Sequence, residues 1–158
     1  MLADRTTTSA GLTVSNAAGT WNNATGDAMY DAYVYPNGVS LDKITVTVTN
    51  LPAGQYDLYL YGHADAATQI EGNSFFSVEV GGQRLKPVGT TSSVGWKADQ
   101  PWEEGKQYVV FRGVQVGHQT PIVIYVTAGH NGQPAIGTER PPVINGLQIR
   151  RTSSARSF

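Results

Sequence analysis

From Ile44 to Thr49 every second side chain is apolar, and Thr45, Thr47 and Thr49 fill the positions between. Successive side chains of a strand point to opposite faces, so this run buries one face and shows the other to water. Leu51, Pro52, Ala53 and Gly54 then supply a turn. A second alternating run follows, with Tyr56, Leu58 and Leu60 on one side and Asp57, Tyr59 and Tyr61 on the other. The same criterion predicts strands near 11–15, 40–50, 55–63, 74–80, 83–88, 107–116, 120–128 and 142–150. Turn clusters such as Gly81-Gly82 and Gly129 to Gly132 separate them. Between Val78 and Leu85 the glycine pair accepts the positive φ angles of a two-residue hairpin turn, so its flanking strands must be neighbours. Gln107 to Val116 and Thr120 to Thr127 are rich in β-branched residues and are assigned to the sandwich interior. Eight or so antiparallel strands fit an all-β, two-sheet β-sandwich of the jelly-roll kind.

A length of 158 residues is that of one domain. The expected organisation is a flexible segment over 1–10, the sandwich over 11–151 and a basic, Ser-rich tail over 152–158. The net charge is -1 and charged residues make up 15% of the chain, so there is no basic field for a phosphate backbone, and nucleic acid is excluded as a partner. No apolar stretch approaches a membrane span, and the start lacks the apolar core of a signal peptide, so no membrane insertion is expected and the chain reads as a module from a longer protein. Cysteine is absent, which removes disulfides and thiolate metal sites and leaves the redox compartment open.

Two long stretches, 16–39 and 89–106, lack a clean strand pattern, and all three tryptophans lie in them. Long irregular segments are commonly functional or mobile.

The order of motifs resembles a β-sandwich domain, with no activity assigned to it, of large secreted or surface proteins of environmental bacteria. Gly19, Trp21, Asn22 and Asn23 match its opening motif; Gly26, Asp27, Met29, Asp31 and Tyr33 match the next. Leu51-Pro52 and Tyr56 to Asp65 follow, then Tyr108 to Gly113, and Ile144 to Ile149 close the pattern, so the likeness covers 16–150. Between the first two motifs this chain has only Ala24 and Thr25, where relatives often have more. The resemblance implies a galactose-binding-like jelly roll, similar in look to carbohydrate-binding modules and malectin-like domains. It also implies an extracellular or cell-surface setting beside neighbouring domains of a larger secreted protein.

Exposed aromatic rings hold sugars because the C–H face of a pyranose stacks on a π-surface while neighbouring polar groups bond its hydroxyls. The candidate ligand-binding residues are Trp96, Trp102, Trp21, Tyr33 and Tyr35, with His63 and Asp65 at the end of the second strand. Each ring has a plainer reading as a plug closing the sandwich, and Asp57, Tyr59, Tyr61 and His63 read equally as a second buried face. Asn22, Asn23, Asp27 and Asp31 form the densest oxygen-rich stretch, of the kind that contributes to a structural calcium site; no other cofactor is indicated. His118 and His130 lie in turn-like contexts, and Glu103-Glu104 reads as a solvated loop rather than a catalytic pair. Asn145 and Gly146 interrupt the last strand, where Asn145 is expected to bond backbone. No catalytic signature stands out. The leading expectation is a non-catalytic module that binds polysaccharide or oligosaccharide; the alternative is a structural or adhesive spacer of a multidomain surface protein.

Overall fold

A computed structural model describes residues 7–22, 26–36, 43–64, 72–91, 101–135 and 141–154. Among them the chain forms strands and no helix. In chain order these are β1 (Gly11–Ser15), β2 (Gly19–Asn22), β3 (Ala32–Tyr35), β4 (Ile44–Thr49), β5 (Gly54–Tyr61) and β6 (Asn73–Val80). Then come β7 (Gln83–Arg84), β8 (Val88–Gly89), β9 (Tyr108–Val116), β10 (Ile122–His130), β11 (Gln133–Pro134) and β12 (Gly146–Ser154). No helix among the described residues is long and apolar enough to cross a membrane.

The larger sheet runs β1-β4-β10-β6-β7, with β8 also on β6 and β11 on β10; the smaller runs β12-β5-β9; β2 and β3 form a ribbon. Val34 in β3 and Ile144, just before β12, exchange both backbone bonds at 3.0 and 3.2 Å, which ties the ribbon to the smaller sheet. The named pairings are all antiparallel, so the protein is an all-β jelly-roll sandwich.

The core follows from the alternation. Ile44, Val46 and Val48 of β4, Phe76 and Val78 of β6 and Ile122, Ile124 and Val126 of β10 meet Tyr56, Leu58 and Leu60 of β5 and Val109, Phe111, Val114 and Val116 of β9. Burying each such side chain contributes about 1.5–3 kcal/mol, against about 0–1 kcal/mol for an exposed ion pair, so this layer and not the surface charges holds the fold.

The glycine hairpin forms as expected: Gly81 and Gly82 have φ of 57° and 79°, and Val80 pairs with Gln83. At the other predicted turn the chain reverses on the last two residues of the cluster, Asn131 and Gly132, also with positive φ, so β10 continues two residues past 128, through His130. Leu51 to Ala53 carry the chain from the larger sheet to the smaller, so β4 and β5 face one another across the core instead of pairing. Interior placement holds for β10, which lies between β4 and β6; β9 is an edge strand of the smaller sheet that presents one face to the core. The run expected at 83–88 divides into β7 and β8, and the last strand continues to Ser154. The ribbon lies inside the stretch that showed no strand pattern.

Candidate functional site

The ribbon register sets Gly19 opposite Tyr35 and Trp21 opposite Tyr33. These four residues therefore share one face. Val34 points the other way and packs against the core, so the face with Trp21, Tyr33 and Tyr35 is turned outward. Trp21 is 53% exposed, one of the few large apolar residues standing in solvent among the described residues, and Tyr33 and Tyr35 are half-buried. The Tyr33 and Tyr35 rings meet edge to face with centroids 6.2 Å apart. A Cβ on Gly19 would run into the Tyr35 ring, so only glycine lets that ring lie down on the neighbouring strand. The result is three aromatic side chains on the open side of a two-stranded ribbon.

The connection between β2 and β3 anchors this ribbon. Asp27 Oδ1 accepts from the Met29 amide at 2.8 Å, and Asp31 Oδ1 accepts from the Gly26 amide at 2.7 Å. The turn thrusts Met29 onto Gly146, where there is no Cβ to obstruct it, and sinks Tyr30 completely. The Tyr30 hydroxyl donates to the Gln107 carbonyl. Its ring stands edge-on to Tyr61 at 6.0 Å and to Trp102 at 5.2 Å, and Tyr61 stacks on Tyr108 at 5.6 Å. Burial raises the Tyr30 and Tyr61 hydroxyl pKa values, so both stay neutral donors.

Trp102 is thus partly buried as the lid of an aromatic cluster on the outer side of the smaller sheet. Tyr30, which the sequence reading did not single out, is the cluster's centre. His63, read as a ligand candidate, is 2% exposed, so its ring lines no open surface. Its amide donates to Asn145 Oδ1 at 2.7 Å, and Asn145 Nδ2 donates to the Ala32 carbonyl at 3.2 Å. Asn145 therefore bonds backbone, stitching the end of β5 to the start of β3. Asn22 is exposed on the ribbon opposite Ala32. Trp96, Asp65 and Asn23 lie outside the described residues.

Asp27 and Asp31 act as acceptors within their own turn, and among the described residues no group of three or more His, Cys, Asp or Glu side chains could hold a metal ion. His118 lies before β10 and the exposed His130 at that strand's far end. Glu103 pairs with Lys106 at 2.8 Å and Glu104 with Arg112, which lowers the Glu104 pKa through the guanidinium's hydrogen bonds.

Fold and site together define a jelly-roll sandwich that carries an outward aromatic ribbon beside a packed aromatic cluster. No family model matches the chain, and no curated protein matches its sequence. Among solved structures it is similar to the carbohydrate-binding module TmCBM61 in complex with β-1,4-galactotriose, at 15% identity and a TM-score of 0.45, with 91% of this chain and 89% of that one covered. It is similar to CBM35 from Paenibacillus barcinonensis, at 14% identity over 90% of this chain and 94% of that one, TM-score 0.45. CBM35 from Cellvibrio japonicus Abf62 gives 17% identity over 92% and 99%, TM-score 0.42. At these scores the likeness is loose, and the sandwich is fixed by its own strand pairings.

Proposed function

We propose that the protein is a non-catalytic carbohydrate-binding domain that takes a polysaccharide or oligosaccharide on the outward face of the ribbon. One observation carries the reading: Trp21, at 53% exposure, stands across from Tyr33 and beside Tyr35 on a face turned away from the core. An exposed indole loses hydrophobic stabilisation unless something apolar covers it, and the C–H face of a sugar ring is flat enough to do so. The ribbon holds the rings in place through the Val34–Ile144 bridge and the Asn145 side chain, so little ordering is left for the binding step. A setting outside the cell, among the domains of a larger protein, belongs to the same proposal. A single open platform binds modestly, and linked copies raise avidity.

The test is affinity electrophoresis of the wild type and Trp21→Ala through gels containing plant, algal and microbial polysaccharides, with the Tm of each protein measured in parallel. At least one polysaccharide should retard the wild type, and Trp21→Ala should bind it more weakly by about 2 kcal/mol, roughly thirtyfold, at nearly unchanged Tm. A wild type that no glycan retards, or a variant retarded equally, would leave the spacer as the reading of choice. The spacer draws its own support from the packed cluster, where Tyr30 and Tyr61 serve as core and Trp102 packs against them.

A further inference from the structure

The outer face of the smaller sheet carries a second group of polar side chains, away from the ribbon rings. Gly146, Tyr61 and Tyr108 form one cross-strand row, and Gln148, Tyr59 and Val110 the next. Met29, Tyr30 and Trp102 roof the first row. Beyond the second row Arg150 pairs with Asp57, and on the far side two residues of β9, Arg112 and Gly113, oppose that single aspartate. This is a β-bulge, with Gly113 at φ 66°, and bulges re-aim the side chains beside them.

The bulge is held by charge. Asp57 accepts from the Gly113 amide at 3.0 Å and from Arg150 at 2.7 Å, while Arg112 forms a two-pronged pair with Glu104. The Arg150 guanidinium lies 5.8 Å from the centre of the half-buried Tyr59 ring, and both guanidinia are within electrostatic reach of its phenol. The Asp57 side chain is only 8% exposed, whereas those of Arg150 and Arg112 are 65% and 59% exposed. The Asp57 charge is thus hidden beneath the surface while its partner Arg150 stands in water, whereas Glu104, 40% exposed, stays beside Arg112.

The hydrogen-bond inventory is weighted toward donors. A guanidinium has about five N–H donors and no acceptor. Arg112 places two on Glu104, and Arg150 places one on Asp57. Gln148 Oε1 already accepts from the Tyr61 hydroxyl at 3.0 Å, which leaves its amide N–H groups to offer. A ligand here must bring acceptors. Each guanidinium is steadied by its carboxylate, so binding costs it little entropy; both terminal nitrogens of Arg112 already serve Glu104, so a ligand meets the outward N–H groups left over, for which anionic oxygens are the fitting acceptors.

We propose that Arg112, Arg150 and Gln148 around Tyr59 form a second binding site, separate from the ribbon, for a carboxylate or sulfate group carried on a sugar ring that rests against Tyr59. The experiment is isothermal titration of the full chain with three probes: an oligogalacturonate, a sulfated carrageenan oligosaccharide and a neutral cello-oligosaccharide. At least one anionic probe should bind, and which one identifies the group recognised. Its affinity should fall about tenfold between about 20 and about 300 mM NaCl, as exposed charges are screened. Arg112→Gln should lower that affinity about tenfold or more at an unchanged Tm, Arg112→Lys should recover only part of it, and Trp21→Ala should leave it as in the wild type. Arg150→Lys, which keeps a cation for Asp57, is the second variant should Arg112→Gln fail to fold. Silence from both anionic probes, wild-type affinity in Arg112→Gln, or loss in Trp21→Ala instead would overturn the site. None of these results decides whether the ribbon binds the neutral probe.

Discussion

Asp57 is gripped by two donors that favour its charged form, the Arg150 guanidinium first and the Gly113 amide second, and its pKa is held below the ordinary carboxylate range. When the folded pKa lies below the unfolded one, the unfolded chain takes up the proton first as pH falls. The stabilisation is therefore complete above the unfolded aspartate value of about 3.9 and is lost as pH drops through the folded value. Thermal melts between about pH 6 and about pH 2.5 should show Tm declining below about pH 4, and Asp57→Asn should flatten that decline. Equal slopes in the two proteins would remove Asp57 from the account. Tyr30 makes a different contribution, because its hydroxyl donates to the carbonyl of Gln107, itself buried. Tyr30→Phe keeps the ring and deletes the donor, so urea denaturation should show a loss of about 1–3 kcal/mol at unchanged m-value.

At the scale of elements, legibility tracked polarity. In β4, Thr faces water between Ile and Val, so period two is written in the residue types themselves. In β3 both faces are apolar, with Val34 inward and Tyr33 and Tyr35 outward, and in β2 the residues are Gly, Thr, Trp and Asn. No alternation of polarity exists there to be read, although Gly19 and Trp21 stand two apart as a strand face requires. The long irregular stretch was nonetheless a sound place to look for exposed rings, since it holds Trp21. Trp102 could not be placed from its neighbours because its partners Tyr30 and Tyr61 come from distant segments. Arg112 and Arg150 escaped for a related reason: strand parity turns Arg150 outward, but only the register and the bulge bring it to Asp57 opposite Arg112. The ribbon's attachment is testable at this scale. Asn145→Ala removes the side-chain acceptor for the His63 amide and the donor to the Ala32 carbonyl, at a cost of about 1–3 kcal/mol. Amide exchange should then speed up in β2 and β3 while β10 keeps its protection; unchanged exchange would mean that the Val34–Ile144 bridge suffices alone.

For the whole molecule, the two sheets differ in width, and the mismatch falls on β1. Among the described residues this strand pairs with β4 alone, setting Leu12 opposite Val48 and Val14 opposite Val46. Those valines are core residues, so Leu12 and Val14 point to the inner side of the larger sheet, yet they are 61% and 42% exposed because the opposing layer does not reach them. From Gly11 to Ser15 the edge carries no charge, no proline and no register shift, which are the devices that ordinarily discourage edge pairing. Replacing Leu12 and Val14 together by Thr keeps β-branched or strand-compatible side chains and removes the exposed apolar pair. Heated at equal concentration, the double variant should scatter light later than the wild type while its Tm changes little, because side chains this exposed contribute little to the core. The same onset in both would move the aggregation route away from β1. A later onset would give the protein one sticky edge and one aromatic face on separate sheets, so the edge could be blunted without touching Trp21, Tyr33 or Tyr35.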